Sequence, residues 1–434
     1  MPRRMNAAAA GFEQEFAAFL AENRDNGVDV VGVVTDILKR VRAEGDAAVL
    51  AYTRKFDRVT LTAETMRVTA AEVDAAFAAC DAKQIEALKI AAARIESFHR
   101  RQVPEGFGYS DAEGVELGLR WTSVSAVGLY VPGGLAAYPS SVLMNAMPAK
   151  VAGVPRIVMT VPTPDGALNP LVLAAAKLAG VTEIYRLGGA QAVGALAYGT
   201  QTIQPVDKIV GPGNAYVAEA KRQVFGTVGI DSIAGPSEIL VVADKDNDPD
   251  WIAADLLSQA EHSDDAQSVL ITDDTLFADA VAAAVERQLA ELPRGEIAAL
   301  SWRNYGAIVT VTALADAVPL VDRIAPEHLE LAVADPDALS AKIRNAGAIF
   351  LGRHTPEAIG DYVAGPNHVL PTSRTARFSS GLGVHDFMKR STLIRCDAAS
   401  LGRIGPAAIT LAEAEGLDAH ARSVAVRLGQ PQGA

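Results

Sequence analysis

The pattern of hydrophobic and polar residues changes near residue 120. Before that point, in residues 30–57 and 69–102, apolar residues recur every three or four positions. This spacing places apolar side chains on one face of an α-helix, and Gly45 predicts a helix end within the first segment. We therefore expect the first hundred residues to be mainly helical.

Beyond residue 120, short runs rich in β-branched residues alternate with alanine-rich segments of helix length. The runs are AVGLYV, RIVMTV, EIYRLGG, KIVGPG, EILVVAD, SVLITDD, AIVTVT and AIFLG. Strands separated by helices are typical of parallel α/β sheets, whose ligands bind beyond the carboxyl ends of the strands. Glycine and proline follow three runs, at 131–134, 187–190 and 210–214, so these turns are candidate binding loops. The last fifty residues are expected to return to helix.

Composition narrows the class of protein. The 434 residues allow two to four domains, at roughly 100–200 residues each. The formal net charge of -13 argues against a nucleic-acid partner, because phosphate binding needs clustered Lys and Arg. The two cysteines, Cys80 and Cys396, indicate a reducing compartment. Without a signal peptide or a long apolar run, the sequence predicts a cytoplasmic protein with no membrane segment.

No complete dinucleotide fingerprint, GxGxxG, follows any predicted strand. The nearest match, GPGNAY at 211–216, has Tyr216 where the final small residue belongs. The spacing alone leaves a dinucleotide site open.

One predicted helix carries two polar side chains beside its apolar face. Asp248 and Pro249 form a favourable helix start, and Gln259 and His262 stand one turn apart near the helix end. They are either a satisfied polar pair or half of a metal shell, with an amide oxygen and an imidazole nitrogen as ligands. The expected buried stripe of this helix is Ile252, Ala253, Leu256, Leu257 and Ala260.

Three further stretches contain candidate reactive groups. Glu327 and His328 are adjacent, and they are either two proton acceptors in one site or the first turn of a helix. Asp361, in a loop rich in glycine and proline, is either a metal ligand or a turn residue. Glu415 and His420 lie on a C-terminal helical segment, where His420 alone would be a surface histidine.

Long motifs along the chain resemble those of the histidinol dehydrogenase family. They are EGDAAVLAYTRKFD, YVPGGLAAYPSSVLMNAMPAKVAGV, LGGAQAVGALAYGT, KIVGPGNAYVAEAKRQVFG, GPSEILVVAD, DLLSQAEHSDDAQSVLIT, IAPEHLEL, GDYVAGPNHVLPTSRTARFSSGLGVHDFMKR and EGLDAHARSV. The resemblance spans about residues 27–430, in the same order. It implies oxidation of L-histidinol to L-histidine, the last step of histidine biosynthesis, with two NAD and one zinc ion per site.

The resemblance also implies roles for individual residues. Zinc would be bound by Gln259, His262 and Asp361 of one subunit and by His420 from the C-terminal arm of the other, in an obligate homodimer. Glu327 and His328 match the family's acid–base pair. The implied substrate contacts are Ser237, Gln259, His262, His328, Asp361, Glu415 and His420, and the implied NAD contacts are Tyr130, Gln191 and Asn214.

The fold implied by the family is two incomplete Rossmann-like domains with small terminal extensions. We accordingly predict an N-terminal helical extension at 1–26 and a second domain with the NAD contacts at 130–238. Residues 27–129 and 239–381 would form a discontinuous domain with most zinc and catalytic residues, and 382–434 a C-terminal dimer-exchange arm. His385 stands where an aliphatic or small residue is expected. This difference is either tolerated variation near the hinge of the arm or a sign of a modified substrate pocket.

The sequence is also compatible with three rival functions. A paralogous zinc and NAD dehydrogenase would act on another small polyol or a hydroxy-sulfonate, although Glu415 within EGLDAHA favours an imidazole-bearing amino alcohol. A zinc hydrolase would use Glu327 to activate metal-bound water, without NAD. A non-catalytic metal-binding protein would leave the Glu327–His328 pair unexplained.

Overall fold

The structure is a computed structural model that describes residues 2–22, 30–133, 138–233 and 235–429. The helices in these ranges are α1 Phe12–Ala21, α2 Val31–Glu44, α3 Asp46–Phe56, α4 Ala70–Ala79, α5 Ala82–Arg100, α6 Pro139–Val151, α7 Pro170–Ala179, α8 Gly189–Tyr198, α9 Ala215–Val224, α10 Pro249–Ala260, α11 Thr275–Leu289, α12 Gly295–Tyr305, α13 Ala317–Ile324, α14 Pro336–Ser340, α15 Glu357–Tyr362, α16 Ala398–Ala414 and α17 Asp418–Ala425. The strands are β1 Arg3–Asn6, β2 Phe107–Ser110, β3 Glu116–Ser123, β4 Ala126–Tyr130, β5 Arg156–Thr160, β6 Glu183–Tyr185, β7 Lys208–Val210, β8 Gly229–Ile230, β9 Glu238–Ala243, β10 Gln267–Thr272, β11 Ala307–Thr310, β12 His328–Ala332, β13 Ala348–Leu351 and β14 Met388–Arg395.

Six parallel strands form the larger sheet, in the order β1-β11-β10-β9-β12-β13. Every residue of β9, β10 and β12 is buried, because helices cover both faces of the sheet. α1 and α13 pack on one face, and α10, α11 and α12 pack on the other. The predicted N-terminal extension is therefore only partly separate, since β1 is an edge strand of this sheet and pairs with β11.

A second parallel sheet has five strands, in the order β6-β5-β4-β7-β8. α5, α6 and α7 cover one face, and α2, α3, α8 and α9 cover the other. The helices between residues 31 and 100 thus pack on this sheet, which differs from the predicted grouping of 27–129 with 239–381. The physical reason is that the apolar faces of α2 and α3 are buried mainly against α8 and α9, and those of α4 and α5 against α6 and α7, the helices that flank this sheet. The predicted boundary between 26 and 27 lies outside the described residues.

A small antiparallel sheet, β14-β3-β2, precedes the C-terminal helices α16 and α17. Helix had been expected over the last fifty residues, but β14 pairs with β3 along its whole length, from Met388 opposite Ser123 to Arg395 opposite Glu116. The predicted helical segment after it is interrupted at Gly416, whose φ of 71° ends the helical path between α16 and α17. β14 is exposed along most of its length.

The other patterns predict the elements well. Residues 30–57 form α2 and α3 with Gly45 between them, and 69–102 contain α4 and α5. The eight β-branched runs coincide with β4–β7, β9–β11 and β13, so the predicted α/β class with parallel sheets is confirmed. Among the described helices, none combines the length and apolar character needed to cross a bilayer. The predicted turn at 131–134 ends at Gly134, which lies outside the described residues.

Candidate functional site

The C-terminal end of α10 holds the first two candidate ligands. Asp248 caps the helix by accepting a hydrogen bond from the backbone N–H of Asp250, and the predicted stripe of apolar side chains is buried. Gln259 is fully buried, and its amide nitrogen lies 2.9 Å from Nδ1 of His262, just beyond the helix end. The two side chains therefore face one small volume, as predicted from their spacing.

The next two candidates lie at the amino end of β12. The alternative that Glu327 and His328 begin a helix is wrong, because His328 is the first residue of a strand that pairs with β9 and β13. One residue, Glu238 at the start of β9, anchors both groups. Its backbone N–H donates to Oε2 of Glu327 at 3.0 Å, and its carbonyl oxygen accepts from Nδ1 of His328 at 2.9 Å.

α15 brings two carboxyl groups to the imidazole of His328. Asp361 and Glu357 are four residues apart, and this spacing places them on one helix face. Oε1 of Glu357 lies 3.6 Å from Nε2 of His328, and Oδ1 of Asp361 lies 3.9 Å from it. Asp361 was predicted on a loop, whereas it belongs to this short helix. Glu357 was not predicted, and its spacing from Asp361 is the signal that could have revealed it.

His328, Glu357 and Asp361 form a candidate metal site. One ligand atom from each of the three lies within 4.8 Å of the others. Helix α10 reaches the same cluster through Ser258, whose hydroxyl donates to Oε2 of Glu357 at 3.2 Å. Burial lowers the pKa of His262, one turn further along the chain. Of the zinc ligands predicted from this chain, Gln259 and His262 contact each other at the end of α10, and Asp361 lies with Glu357 and His328.

Burial dominates the electrostatics of these groups. It raises the pKa of Asp361 to about 8, and the charge of Glu357 adds to the effect. It also raises the pKa of Glu327 well above the usual carboxyl value, with a second contribution from the charge of Glu238. Buried carboxylates are costly as isolated anions, so a bound cation would stabilise their charged form.

The donor set fits a zinc ion. Three buried atoms of the cluster have no hydrogen-bond partner among the described residues: Oε1 of Gln259, which is a predicted zinc ligand, and Nε2 of His328 and Oε1 of Glu357. Such orphaned polar atoms are rare in folded proteins unless an ion or a ligand satisfies them. Imidazole nitrogen and carboxyl or amide oxygen are donors that zinc accepts.

Helix α6, which packs on the five-stranded sheet, contacts the loop after α15. His368 in that loop donates from Nδ1 to the carbonyl oxygen of Asp361 at 3.1 Å, and its Nε2 lies 3.3 Å from Oγ of Ser141. Burial lowers the pKa of His368 to about 4, so it is neutral at physiological pH. Asn367 donates to the carbonyl oxygen of Met144 at 2.5 Å. The two sheets thus share the boundary of the site.

Ser237, a predicted substrate contact, lies directly before Glu238 and is half-buried. Its carbonyl oxygen accepts from the backbone N–H of Gln267 at 2.9 Å, and this bond continues the pairing of β9 with β10. Ser237 is therefore held next to the residue that anchors Glu327 and His328.

The predicted NAD contacts converge at the carboxyl end of the five-stranded sheet. Tyr130 ends β4, and its hydroxyl accepts from the backbone N–H of Gly189 at 3.0 Å. Burial raises the pKa of Tyr130 to about 12. Gln191 is buried in α8 with Oε1 unpartnered among the described residues, and Asn214 caps α9 by accepting from Val217 at 3.2 Å. The N-terminus of α8 therefore contacts Tyr130 at this edge, and the N-terminus of α9 follows β7, the strand beside β4.

Glu415 and His420 are not brought to the site by their own chain. Both are exposed, Glu415 at the end of α16 and His420 within α17. Within the described ranges, neither side chain makes a hydrogen bond or an ion pair with the buried cluster. His385 packs edge-on against Trp121 with ring centroids 5.8 Å apart, next to β14.

Comparisons with known proteins give the family. The family model described as histidinol dehydrogenase matches residues 20–428. The chain is 68% identical over 431 residues to a histidinol dehydrogenase of Rhodospirillum rubrum, and 65% identical over 428 residues to one of Rhizobium meliloti, with 99% of each chain covered. The crystal structure of histidinol dehydrogenase from Elizabethkingia anophelis superposes with a TM-score of 0.94 at 37% identity, covering 99% of this chain and 98% of that one. The chain belongs to the histidinol dehydrogenase family.

Proposed function

We propose that the chain oxidises L-histidinol through L-histidinaldehyde to L-histidine, with reduction of two NAD, as the final step of histidine biosynthesis. Family membership over nearly the full length supports this proposal. The observation that carries it is the buried cluster in which the side chains of α10, β12 and α15 meet.

Zinc would be held by Gln259, His262 and Asp361, with His420 supplied by a second subunit. When bound, zinc would orient the substrate by accepting its imidazole and amino nitrogens as ligands. The further substrate contacts that we propose are Ser237, His328 and Glu415.

His328 is the proposed general base for alcohol oxidation. Its Nδ1 donates to the backbone of Glu238, so the neutral ring has its lone pair on Nε2. Nε2 is buried and lacks a hydrogen-bond partner among the described residues. It can therefore accept the proton of the substrate hydroxyl while hydride passes to NAD from the carbon that bears this hydroxyl.

Glu327 is the proposed base for the second oxidation. An aldehyde must first add water, because its hydrate is the species from which a second hydride can leave. Burial raises the pKa of Glu327, so its carboxylate is a stronger base than an exposed one. Glu327 takes a proton from the attacking water, whose oxygen bonds to the aldehyde carbon. Hydride then passes from the resulting hydrate anion to the second NAD, and the carboxylic acid that forms loses its proton to give the carboxylate. Enclosure of both steps protects a reactive amino aldehyde from side reactions.

Homodimerisation is part of the proposal. The C-terminal arm exposes large apolar side chains, among them Ile394 and Leu411, which are 72% and 65% exposed in the single chain. A second copy that covered this arm would bury them and could bring Glu415 and His420 to the cluster. We also propose a cytoplasmic location, because both cysteines are free, as is usual in a reducing compartment.

The stoichiometry of the reaction tests the proposal. Purified protein should form two NADH for each L-histidinol consumed, followed by absorbance at 340 nm. A chelator should abolish the activity, and added zinc should restore it. Faster NADH formation from dihydroxypropanesulfonate than from L-histidinol would contradict the substrate, and turnover without NAD would contradict the reaction class.

A further inference from the structure

A buried ion pair encloses one glycine of the five-stranded unit. Lys221 on α9 and Asp231 after β8 form this pair, and their side chains are 3% and 4% exposed. Nζ of Lys221 donates to the carbonyl oxygen of Gly211 at 3.0 Å, and Oδ2 of Asp231 accepts from the N–H of Gly211 at 2.7 Å. Both backbone polar groups of Gly211 are therefore held by charged side chains.

Gly211 in turn lies against the end of β4. Its φ of +115° is accessible to glycine and strained for other residues, and a Cβ at this position would lie 2.2 Å from the carbonyl oxygen of Tyr130. Three residues later, Asn214 caps α9, the helix that contains Lys221. The ion pair thus fixes the path of the 211–214 loop between Tyr130 and the start of α9.

Stability alone is a weak explanation for such a pair. Moving two charges out of water is costly, and replacing a buried ion pair by apolar residues of similar size is often neutral or stabilising. Its hydrogen bonds to Gly211, by contrast, are a geometric constraint that apolar side chains cannot reproduce.

We propose that Lys221 and Asp231 are positioning residues for NAD. They act through the 211–214 loop, which they hold in the conformation that places Gly211 against Tyr130 and Asn214 at the start of α9, at the carboxyl end of the sheet. This inference rests on the proposed function, in which Tyr130 and Asn214 contact NAD.

The test removes both charges together. In the double variant Lys221→Met/Asp231→Leu, KM for NAD and the dissociation constant of NAD should each rise about tenfold, which is the expected effect of losing one well-placed charged hydrogen bond. kcat at saturating NAD, KM for L-histidinol and zinc content should stay within about twofold of the wild-type values. A merely structural role would lower the amount of active protein without this selective change in KM.

The matched control is the ion pair of Arg156 and Glu183, at the amino ends of β5 and β6 in the same sheet. Arg156→Met/Glu183→Leu should leave NAD binding unchanged. If the first double variant does not fold, Lys221→Met/Asp231→Asn keeps an acceptor for the N–H of Gly211, and KM for NAD should then rise about threefold.

Unchanged NAD affinity in the folded variants would overturn the inference. NAD binding is also measured by calorimetry without L-histidinol, so the loop is tested even if the wild-type protein oxidises no L-histidinol. Wild-type protein that binds NAD but oxidises no L-histidinol would contradict the proposed function alone. Wild-type protein that does not bind NAD would overturn both proposals.

Discussion

At the scale of single residues, the backbone N–H and carbonyl oxygen of Glu238 each hold one of the two proposed bases. The carbonyl oxygen occupies Nδ1 of His328, and the N–H occupies one oxygen of Glu327. Each proposed base is thereby oriented by a peptide group that cannot change its own protonation. Nε2 of His328 and the other oxygen of Glu327 are therefore the atoms that can accept protons in the proposed reaction.

Replacing Glu327 by Gln should separate the two oxidations. The amide keeps the shape of the carboxyl group but cannot accept a proton from water, so oxidation of L-histidinaldehyde should slow by about 10²–10⁴-fold and exceed the loss in alcohol oxidation. Single-turnover measurements started from each substrate give the two rates. An equal loss in both steps would contradict the role of Glu327.

The same variant should change the pH profile. Glu327 acts as a base only when ionised, and burial raises its pKa. Wild-type aldehyde oxidation should therefore fall as pH decreases through a value above the usual carboxyl range. This acid limb should be absent from the residual activity of Glu327→Gln.

Sequence reasoning found most of these residues but not all of them. Glu327 and His328 are adjacent, and Gln259 and His262 are one helical turn apart, so local spacing reveals each pair. Glu357 was missed because its partner in space, His328, is distant along the chain. His420 cannot be linked to the cluster from one chain, because α17 packs mainly against α16 of its own arm and His420 is exposed.

At the scale of elements, the candidate zinc and catalytic groups lie at the amino ends of β9 and β12. The sequence predicts ligands beyond the carboxyl ends of the strands. In the five-stranded sheet, the predicted NAD contacts do lie at the carboxyl ends. β12 itself was not predicted as a strand. Its sequence, HLELA, places a histidine and a glutamate at buried positions, so its apolar residues form no continuous run. Tertiary packing on both faces outweighed the local pattern.

The C-terminal end of α15 depends on an arginine from α5. Arg94 donates from Nε to the carbonyl oxygen of Val363 at 2.5 Å and from Nη2 to that of Ala364 at 3.2 Å. These carbonyls lie just after the helix that contains Glu357 and Asp361. A cation at a helix C-terminus satisfies groups that the helix leaves unpaired.

Arg94→Met should loosen α15 and weaken zinc binding by about threefold to tenfold, since one or two hydrogen bonds to the carbonyls are lost. Competition with a chromophoric chelator measures the zinc affinity. The control is Lys89→Met, at an exposed position of α5, the helix that also contains Arg94. This variant should bind zinc as the wild type does. Unchanged affinity in Arg94→Met would show that α15 does not need this cap.

At the scale of the whole molecule, the site draws on both sheets and, in our proposal, on a second chain. α6 closes the boundary through Ser141 and Met144, while α10, β12 and α15 provide the buried cluster. Much of the C-terminal arm, including most of β14, is exposed in the single chain.

Mixed dimers test the shared site. Gln259→Ala and His420→Ala should each be inactive as homodimers, because each lacks a zinc ligand in both sites. Co-expression should recover activity, since a hybrid dimer has one site with both residues intact; about a quarter of the wild-type activity is expected if subunits assort at random. Hybrids shown to form but without activity would contradict the contribution of His420 from a second subunit.

The pairing of β1 with β11 has a consequence for how the protein is made. Arg3 meets its partner, Ala307, only after most of the polypeptide has left the ribosome, and closing so long a loop is slow. Until then the edge of β11 is open to strands of other molecules. Bulky tags placed directly before residue 3 should therefore lower the yield of assembled protein during expression more than tags placed elsewhere on its surface.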